Sequence, residues 1–462
     1  MTKAAHRFVD HWLVDPVAKR AGVATLDVEG GQITAVTWRD GEAAAGATWE
    51  AGANPGVGDP VRMILPALID LHAHARQPGA SGSEDVESFA RAAAHGGYGS
   101  ACLMPNTEPA ADSVEILDAM VRPHSGAALS MRLLPIAAAT VGRRGEQVAP
   151  LAALVAAGAV ACSDDGAPIA DPRLFAEVLA AAATAGIPLI EHSEDPVQSA
   201  DGEAADGAVA LRLGLRPWPA RAEHEAVARN ITILREVAAR IPRARLHLTH
   251  LSTAASLQHV RAAQASGLQV TCDVTPHHLA LSDAWLMGEQ RWSWLPGDDA
   301  ISPSAAAFNT NLRVCPPLRA AVDGAACRAA LRDGTACAIA TDHAPHSRER
   351  KEVEFGRAAN GIAGIETSLS VALAAQAAGE LSLATLVAAL TTGPAALLEG
   401  KLPAPTLSAG APASLVVVDR LATWVPARAN LLGRSINTPL LGVALPGVVR
   451  LTLHAGATAY SG

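Results

Sequence analysis

The sequence has few aromatic residues, few lysines and no paired-cysteine motif, and each shortage narrows what the chain can be. Aromatic residues are only 3% of the 462 residues, while alanine is abundant, a bias that we attribute to a GC-rich genome rather than to a function. The six cysteines show no CxxC spacing, and most of them lie in apolar runs. We therefore expect buried thiols rather than disulfides or a zinc knuckle.

An excess of positive charge and a long apolar run are also missing. The net charge of -9 argues against non-specific binding to nucleic acid. No uninterrupted apolar run approaches the roughly 20 residues that cross a membrane. Residues 1–20 contain His, Arg and Asp where a signal peptide would have an apolar core. These absences predict a cytoplasmic protein that has neither a nucleic-acid partner nor a membrane partner.

What the sequence does contain is enough apolar material for a large core, because 50% of the residues are hydrophobic and 18% are charged. A chain of this length is expected to form a large domain with an accessory domain. Residues 1–66 and 403–462 share short strand-like segments that are separated by Gly and Asp turns. We predict that these two ends form one small β-sandwich domain and that residues 67–402 form the large domain.

Apolar segments alternate with alanine-rich helical segments through residues 67–402, which indicates parallel βα units. Helices are expected at 85–95, 172–185 and 221–240. Strands are expected at 68–74, 99–104, 131–138, 159–163, 187–192, 245–250, 268–274 and 336–341. About eight such units predict an α/β fold of the (β/α)8 TIM-barrel type. Residues 285–311 lack periodicity, and we interpret them as a long loop or insertion near the barrel rim.

Chemically active side chains follow most of the predicted strands, at the end where barrel enzymes place their active sites. His72 and His74 lie two residues apart and could chelate a divalent ion such as Zn2+, although two ordinary barrel histidines would have the same spacing. His192, His250 and Asp342 end three other predicted strands. Each of them alone could be a satisfied polar residue, but together they favour a metal site.

Six motifs occur in a fixed order along the chain. They are Asp70-Leu-His-Ala-His-Ala-Arg-Gln-Pro-Gly79, Met104-Pro-Asn-Thr107, Ser163-Asp-Asp-Gly166, Val274-Thr-Pro-His-His-Leu279, Pro316-Pro-Leu-Arg319 and Thr341-Asp-His-Ala-Pro-His346. Each motif alone is weak to moderate, but the ordered set is specific. It resembles the amidohydrolase superfamily and, within it, the type I dihydroorotases, over about residues 65–456.

The resemblance implies a site for two divalent metal ions, with Zn2+ as the expected ion. Many members of the superfamily bridge the ions with a carbamylated lysine, but the four lysines of this chain all lie away from the middle barrel strands. An aspartate bridge is therefore expected, and Asp165 matches the bridging position, although its Asp-Asp-Gly motif is also a plain turn. The implied ligands are His72, His74 and Asp342 for one ion, and His192 and His250 for the other.

The resemblance also implies a reaction, the reversible cyclisation of N-carbamoyl-L-aspartate to L-dihydroorotate in de novo pyrimidine biosynthesis. Asp342 would act as general base and general acid as well as ligand, and a ligand without a proton role is the alternative. The side chain of Arg76 suits a substrate carboxylate, but a surface salt bridge would also explain it. The implied substrate contacts are Arg76, Asn106 and His346 for the carboxylate, position 315 (Cys315), and Asn360 and Gly361 for the ring.

Three positions depart from the family pattern. Cys315 stands where the family usually has Asn, Arg313 where Lys is common, and Asp273 where Glu is usual. Ring recognition is the property that these changes would affect. The rival functions are another cyclic amidase, such as a hydantoinase, dihydropyrimidinase or allantoinase, and a non-catalytic dihydroorotase-like scaffold subunit. The sequence leaves open whether the protein forms a homodimer and whether it binds an aspartate transcarbamoylase.

Overall fold

Two large sheets organise the molecule in the computed structural model, which describes residues 4–39, 49, 54–56, 58–295 and 306–462. The first is an eight-stranded parallel sheet that curls into a barrel, and its strands run in chain order around it. Its strands are β5 (Leu68–Ala73), β6 (Tyr98–Leu103), β7 (Arg132–Ala138), β8 (Ala161–Ser163), β9 (Leu189–Glu191), β12 (Leu246–Leu248), β13 (Val270–Val274) and β14 (Ala338–Ile339). Seven of them lie within the predicted strands, and β6 begins one residue before the predicted segment 99–104, so the barrel prediction is confirmed.

Contacts between the first and last strands close the barrel. Ala73 forms a parallel bridge with His343, and the His74 amide donates to the His343 carbonyl at 2.9 Å. The carboxylate of Asp70, fully buried, accepts from the Thr341 amide at 2.9 Å. The segments after β5 and β14 therefore lie side by side, which places two of the predicted site motifs together.

Helices cover the outside of the barrel in the usual βα alternation. The helix Val86–His95 begins at a capping box formed by Asp85 and Ser88. The helix Pro172–Ala185 begins with proline and ends at Gly186 in the left-handed conformation. The other α-helices are Val114–Ala119, Leu151–Ala156, Ala208–Leu213, Arg221–Ala238, Ala254–Ala265, Pro276–Ala280, Ala321–Asp333, Arg348–Lys351, Ser368–Ala377, Leu383–Leu390 and Thr392–Leu397. Within the described residues, no helix is long and apolar enough to span a membrane.

The second large sheet has seven strands and comes from both ends of the chain, as predicted. Strand β4 joins the two contributions, because it pairs with β1 on one side and with β15 on the other. The strands are β1 (His6–Asp15), β2 (Arg20–Glu29), β3 (Gln32–Trp38), β4 (Arg62–Pro66), β15 (Leu415–Trp424), β16 (Leu445–His454) and β17 (Ala457–Ser461). The domain limits at residues 66 and 403 stay a prediction. A short pair, β10 (Ala204–Ala205) and β11 (Pro217–Trp218), lies apart from both sheets.

An apolar plug fills the barrel below the strand ends that carry the polar motifs. Because this layer is close-packed, it restricts movement of the strand ends and so fixes the positions of the polar side chains above it. The plug consists of Ile69, Leu71, Cys102, Met104, Leu134, Ile136, Val160, Ala161, Ile190, Ala338, Ala340, Leu397 and Leu398.

The stretch 285–311, predicted to be a loop or insertion, is described only in part. Short 3-10 turns occur at Asp283–Met287 and Thr310–Leu312, and Trp285 is fully buried. Residues 296–305 lie outside the described residues.

Candidate active site

His72 and His74 come directly from the end of β5 and face two carboxylates. The Nε2 atom of His74 lies 3.1 Å from Asp342 Oδ1, and the Nε2 atom of His72 lies 3.5 Å from the same oxygen. Both imidazoles are at least 95% buried. Two histidine nitrogens and one carboxylate oxygen at these separations could hold one divalent ion.

The second pair of histidines comes from two strands further round the barrel. His192 follows β9 and His250 lies just beyond β12, and His192 Nδ1 lies 2.9 Å from His250 Nε2. Both nitrogens are 3.7 Å from Asp165 Oδ1. These two nitrogens and the Asp165 oxygen could hold a second ion.

Asp165 lies between the two histidine pairs. Its Oδ1 is 3.4 Å from His72 Nε2, and its Oδ2 is 3.7 Å from His74 Nε2. One carboxylate therefore contacts all four imidazoles, which is what a bridging ligand requires. Its neighbour Asp164 turns away and accepts the amides of Ala139 and Thr140 at 2.9 and 3.0 Å. Of the two aspartates, only Asp165 faces the histidines.

The electrostatics of this cluster favour bound positive charge. Burial alone would raise the pKa of the Asp342 carboxyl, but His72 and the hydrogen bond from His74 hold it below its usual value. Burial opposes charge on Asp165 as well, yet His72, His192 and His250 keep the pKa of that carboxyl well below its usual value. The Nε2 atom of His72 is buried and has no hydrogen-bond partner within the described chain. Two ionised aspartates and an unpartnered imidazole nitrogen fit metal ions.

A buried network behind His72 orients its ring. The Nδ1 atom of His72 lies 2.8 Å from the Thr249 hydroxyl, which donates to Asp273 Oδ2 at 3.0 Å. The other oxygen of Asp273 accepts the His250 amide at 2.6 Å, and His247 also contacts this carboxylate, at 2.8 Å. A metal-ligating histidine usually donates its second nitrogen to such a partner, which fixes the tautomer. Sequence reasoning missed the role of Thr249 and noted Asp273 only as a departure from the family pattern.

Arg76, predicted to bind a substrate carboxylate, lies beside His346. Its Nε donates to the Pro345 carbonyl at 3.1 Å, and its Nη2 is 3.4 Å from His346 Nε2. Burial lowers the pKa of Arg76 to about 10, so the guanidinium stays charged at neutral pH. In the described part of the chain this guanidinium forms no ion pair with a carboxylate, and Asp342 and Asp165 influence its charge only from a distance. A half-buried cation that has no ion pair in the described part of the chain, and that Asp342 and Asp165 stabilise only at longer range, suits an anionic substrate.

The loop with Asn360 and Gly361 packs directly against His346. His346 Nε2 donates to the Asn360 carbonyl at 2.7 Å. Gly361 has φ +146°, and a Cβ there would lie 2.6 Å from Ala344 Cβ and 2.9 Å from His346 Nε2, so only glycine fits. The structure thus brings Arg76, His346 and this loop together.

Asn106 forms hydrogen bonds directly with two of the proposed metal ligands, His74 and Asp165. Its Oδ1 accepts from His74 Nδ1 at 2.8 Å, and its Nδ2 donates to Asp165 Oδ2 at 3.1 Å. Arg76 and His74 border the same small cavity. Asn106 therefore orients two of the proposed ligands, His74 and Asp165, and its contact with a substrate carboxylate stays a prediction.

Two positioning residues have no sequence motif of their own. Asn437, from the C-terminal part of the chain, accepts the His346 amide and donates to the Ala344 and Gly361 carbonyls, all at 3.0 Å. Lys351, only 3% exposed, directs its ammonium at the carbonyls of Ala359, Gly361 and Arg313, at 2.8, 3.1 and 3.3 Å. Both side chains tie the loop after Ala359 to the rest of the rim.

The chain is similar to known proteins along almost its whole length. The family described as "Dihydro-orotase-like" matches residues 61–256. A protein named dihydroorotase from Anaeromyxobacter dehalogenans is 39% identical over 444 residues, which cover 96% of this chain and 95% of that one. One of the same name from Pelobacter propionicus is 37% identical, covering 86% and 87%. The solved L-hydantoinase (dihydropyrimidinase) from Arthrobacter aurescens superposes with a TM-score of 0.78 at 21% identity, covering 98% and 96%.

The barrel, its rim of histidines and aspartates, and these likenesses define an enzyme that hydrolyses cyclic amides, an amidohydrolase. Within that class the chain belongs to the dihydroorotase family, because its relatives of that name match it along almost its whole length. The hydantoinase likeness shows the shared fold. A scaffold without catalysis does not fit, since every predicted ligand position holds a ligand-type side chain.

Proposed function

We propose that the protein catalyses the reversible hydrolysis of L-dihydroorotate to N-carbamoyl-L-aspartate in pyrimidine synthesis, with two divalent ions, most simply Zn2+. The observation that supports this substrate is Arg76, a half-buried guanidinium that has no ion pair in the described part of the chain and lies beside His346 and the histidine cluster. Dihydroorotate carries one carboxylate on its ring, whereas the rings of hydantoin and dihydrouracil carry none. A binding cation at this place favours the anionic ring.

The residues present suggest how the reaction would proceed. When bound, the metal ions would lower the pKa of a water toward about 7 and polarise the scissile carbonyl. Arg76 and His346 hold the substrate carboxylate. Burial and then the neighbouring Arg76 lower the pKa of His346 to about 3, so this ring is neutral at pH 7 and the charge that meets the substrate carboxylate is that of Arg76. Asp342 takes a proton from the attacking water at a carboxylate oxygen and delivers it to the leaving ring nitrogen.

One set of assays tests the proposal. Purified protein is analysed for metal content and assayed with dihydroorotate, hydantoin and allantoin. We expect about two divalent ions per chain, turnover of dihydroorotate in both directions, and loss of turnover when a chelator removes the metal. Turnover of hydantoin without dihydroorotate would contradict the proposal. A homodimer and docking on aspartate transcarbamoylase rest on the family resemblance alone.

Lys351→Met is expected to raise the KM for dihydroorotate about tenfold while changing kcat and metal content little, because a misplaced binding loop weakens substrate positioning. The methionine keeps the length of the side chain but donates to none of the three carbonyls. Lys401→Met, at an exposed lysine, is the matched control. Steady-state kinetics separate KM from kcat. An unchanged KM in a folded, metal-loaded variant would show that the loop holds its position without Lys351.

A further inference from the structure

A second group of metal-binding side chains adjoins the first, on the outer face of His192. Cys315 Sγ lies 3.5 Å from His192 Nε2, and Glu194 Oε2 lies 3.5 Å from the same nitrogen. The sulfur and the carboxylate oxygen are 3.9 Å apart. His192 therefore presents Nδ1 to the proposed catalytic centre and Nε2 to a thiol and a carboxylate.

The separations in this triangle match a single ion. Ligands around a tetrahedral Zn2+, at about 2.3 Å for sulfur and about 2.0 Å for nitrogen or oxygen, lie about 3.3–3.7 Å from one another. Glu194 is held in place, because its other oxygen accepts from Trp218 Nε1 at 2.8 Å. Only a small closing movement of Cys315 toward Glu194 is needed. The geometry thus supplies three ligands and leaves a fourth position for water.

We propose that Cys315, His192 and Glu194 form an inhibitory site for a soft divalent ion, such as Cd2+ or excess Zn2+, distinct from the two proposed catalytic ions. Thiolate sulfur is the ligand that makes the site selective for soft ions over Mg2+ or Ca2+. On binding, the Cys315 thiol and the His192 Nε2–H each release a proton to solvent, and no electron is transferred.

Inhibition follows from the shared imidazole, and this part of the inference rests on the proposed metal-dependent hydrolysis. An ion on Nε2 draws electron density from the same ring that presents Nδ1 to His250 and Asp165. It also occupies the rim at position 315, one of the predicted substrate contacts. Family members that have Asn at this position lack the sulfur ligand, so the sensitivity would belong to chains with cysteine here.

The test is a titration of the metal-loaded enzyme with Cd2+. We expect an ultraviolet sulfur-to-cadmium charge-transfer band that saturates at one thiolate-bound ion per chain, together with loss of dihydroorotate turnover. In Cys315→Ser and Cys315→Asn the band should vanish, and the Cd2+ concentration that halves each variant's own activity should rise at least tenfold or so. Even the loss of an outer-shell partner weakens metal sites about 10- to 100-fold. Cys337→Ser, which alters the other partly exposed cysteine, should keep the band.

Two results would overturn the inference. One is a band that persists in both Cys315 variants, and the other is Cd2+ inhibition of the unmodified enzyme without any thiolate band. Failure of the proposed function would give a different result. A protein that does not turn over dihydroorotate would still show the cadmium band, and the band would still vanish in the Cys315 variants.

Discussion

Replacement of Asp342 by Asn is expected to lower kcat for dihydroorotate by about 1,000-fold, because the amide cannot take a proton from the attacking water. The substitution keeps the size of the side chain and one oxygen that can still face the histidines. His74 Nε2 lies only 3.1 Å from Asp342 Oδ1, so the carboxylate is in direct contact with the proposed ligands. KM is expected to change much less than kcat, since the substrate carboxylate is bound elsewhere.

Metal content decides how this result is interpreted. Steady-state rates are measured beside elemental analysis, and Asp333→Asn, an exposed aspartate that pairs with Arg261, serves as the control. A large loss of kcat with both ions retained supports the proton role of Asp342. A variant that keeps its ions and more than a tenth of the activity would leave Asp342 as a ligand only. Loss of the ions would show that ligation dominates.

The barrel could be predicted because its strands carry a repeating local pattern. Most of its apolar strands follow a helical segment, often rich in alanine, and the pattern does not depend on contacts between distant residues. Strand limits were less certain where pairing is short, as in β14, which has only two residues within the predicted segment 336–341. The long first strand His6–Asp15 was not identified individually, because polar residues interrupt its apolar ones at the exposed end.

The clustering of the proposed metal ligands could be predicted for a related reason. The carboxyl ends of parallel strands meet at one rim, so polar residues that follow the strands are brought together by topology alone. The ring of partners behind them could not be predicted. Thr249 supports His72 across 177 positions of sequence, and Asn437 reaches His346 across 91. Nothing local in the sequence marks such pairs.

The role of Lys351 could not be predicted from the sequence either, because it also depends on distant segments of the chain. In the sequence it counted only as a lysine that could not bridge metal ions. Its burial and its three carbonyl partners depend on how residues 313 and 359–361 fold back over the helix Arg348–Lys351. Burial, with Arg313 nearby, lowers the pKa of Lys351 to about 7. A charged side chain in such surroundings is costly unless it is fully hydrogen-bonded, which indicates a positioning role rather than a solvated surface.

Replacement of Arg76 by Met is expected to separate anionic from neutral rings. Losing one partner of a buried charge pair is expected to lower kcat/KM for dihydroorotate about 100-fold or more. The inhibition constant of dihydrouracil, the same ring without the carboxylate, should change little. Arg76→Lys should recover part of the loss, since it restores the charge without the planar fork. Both measurements use the same metal-loaded enzyme.

The comparison of the two rings is what makes this test specific to carboxylate binding. Arg76 also donates to the Pro345 carbonyl and lies beside His346, so its removal could disturb the rim in general. A general disturbance would weaken both rings to a similar degree, and Arg76→Lys would then gain nothing from its charge. Equal losses for the two rings would therefore contradict the role of Arg76 in substrate selection. A loss confined to the anionic ring would establish it, because only that ring has a carboxylate for the guanidinium to bind.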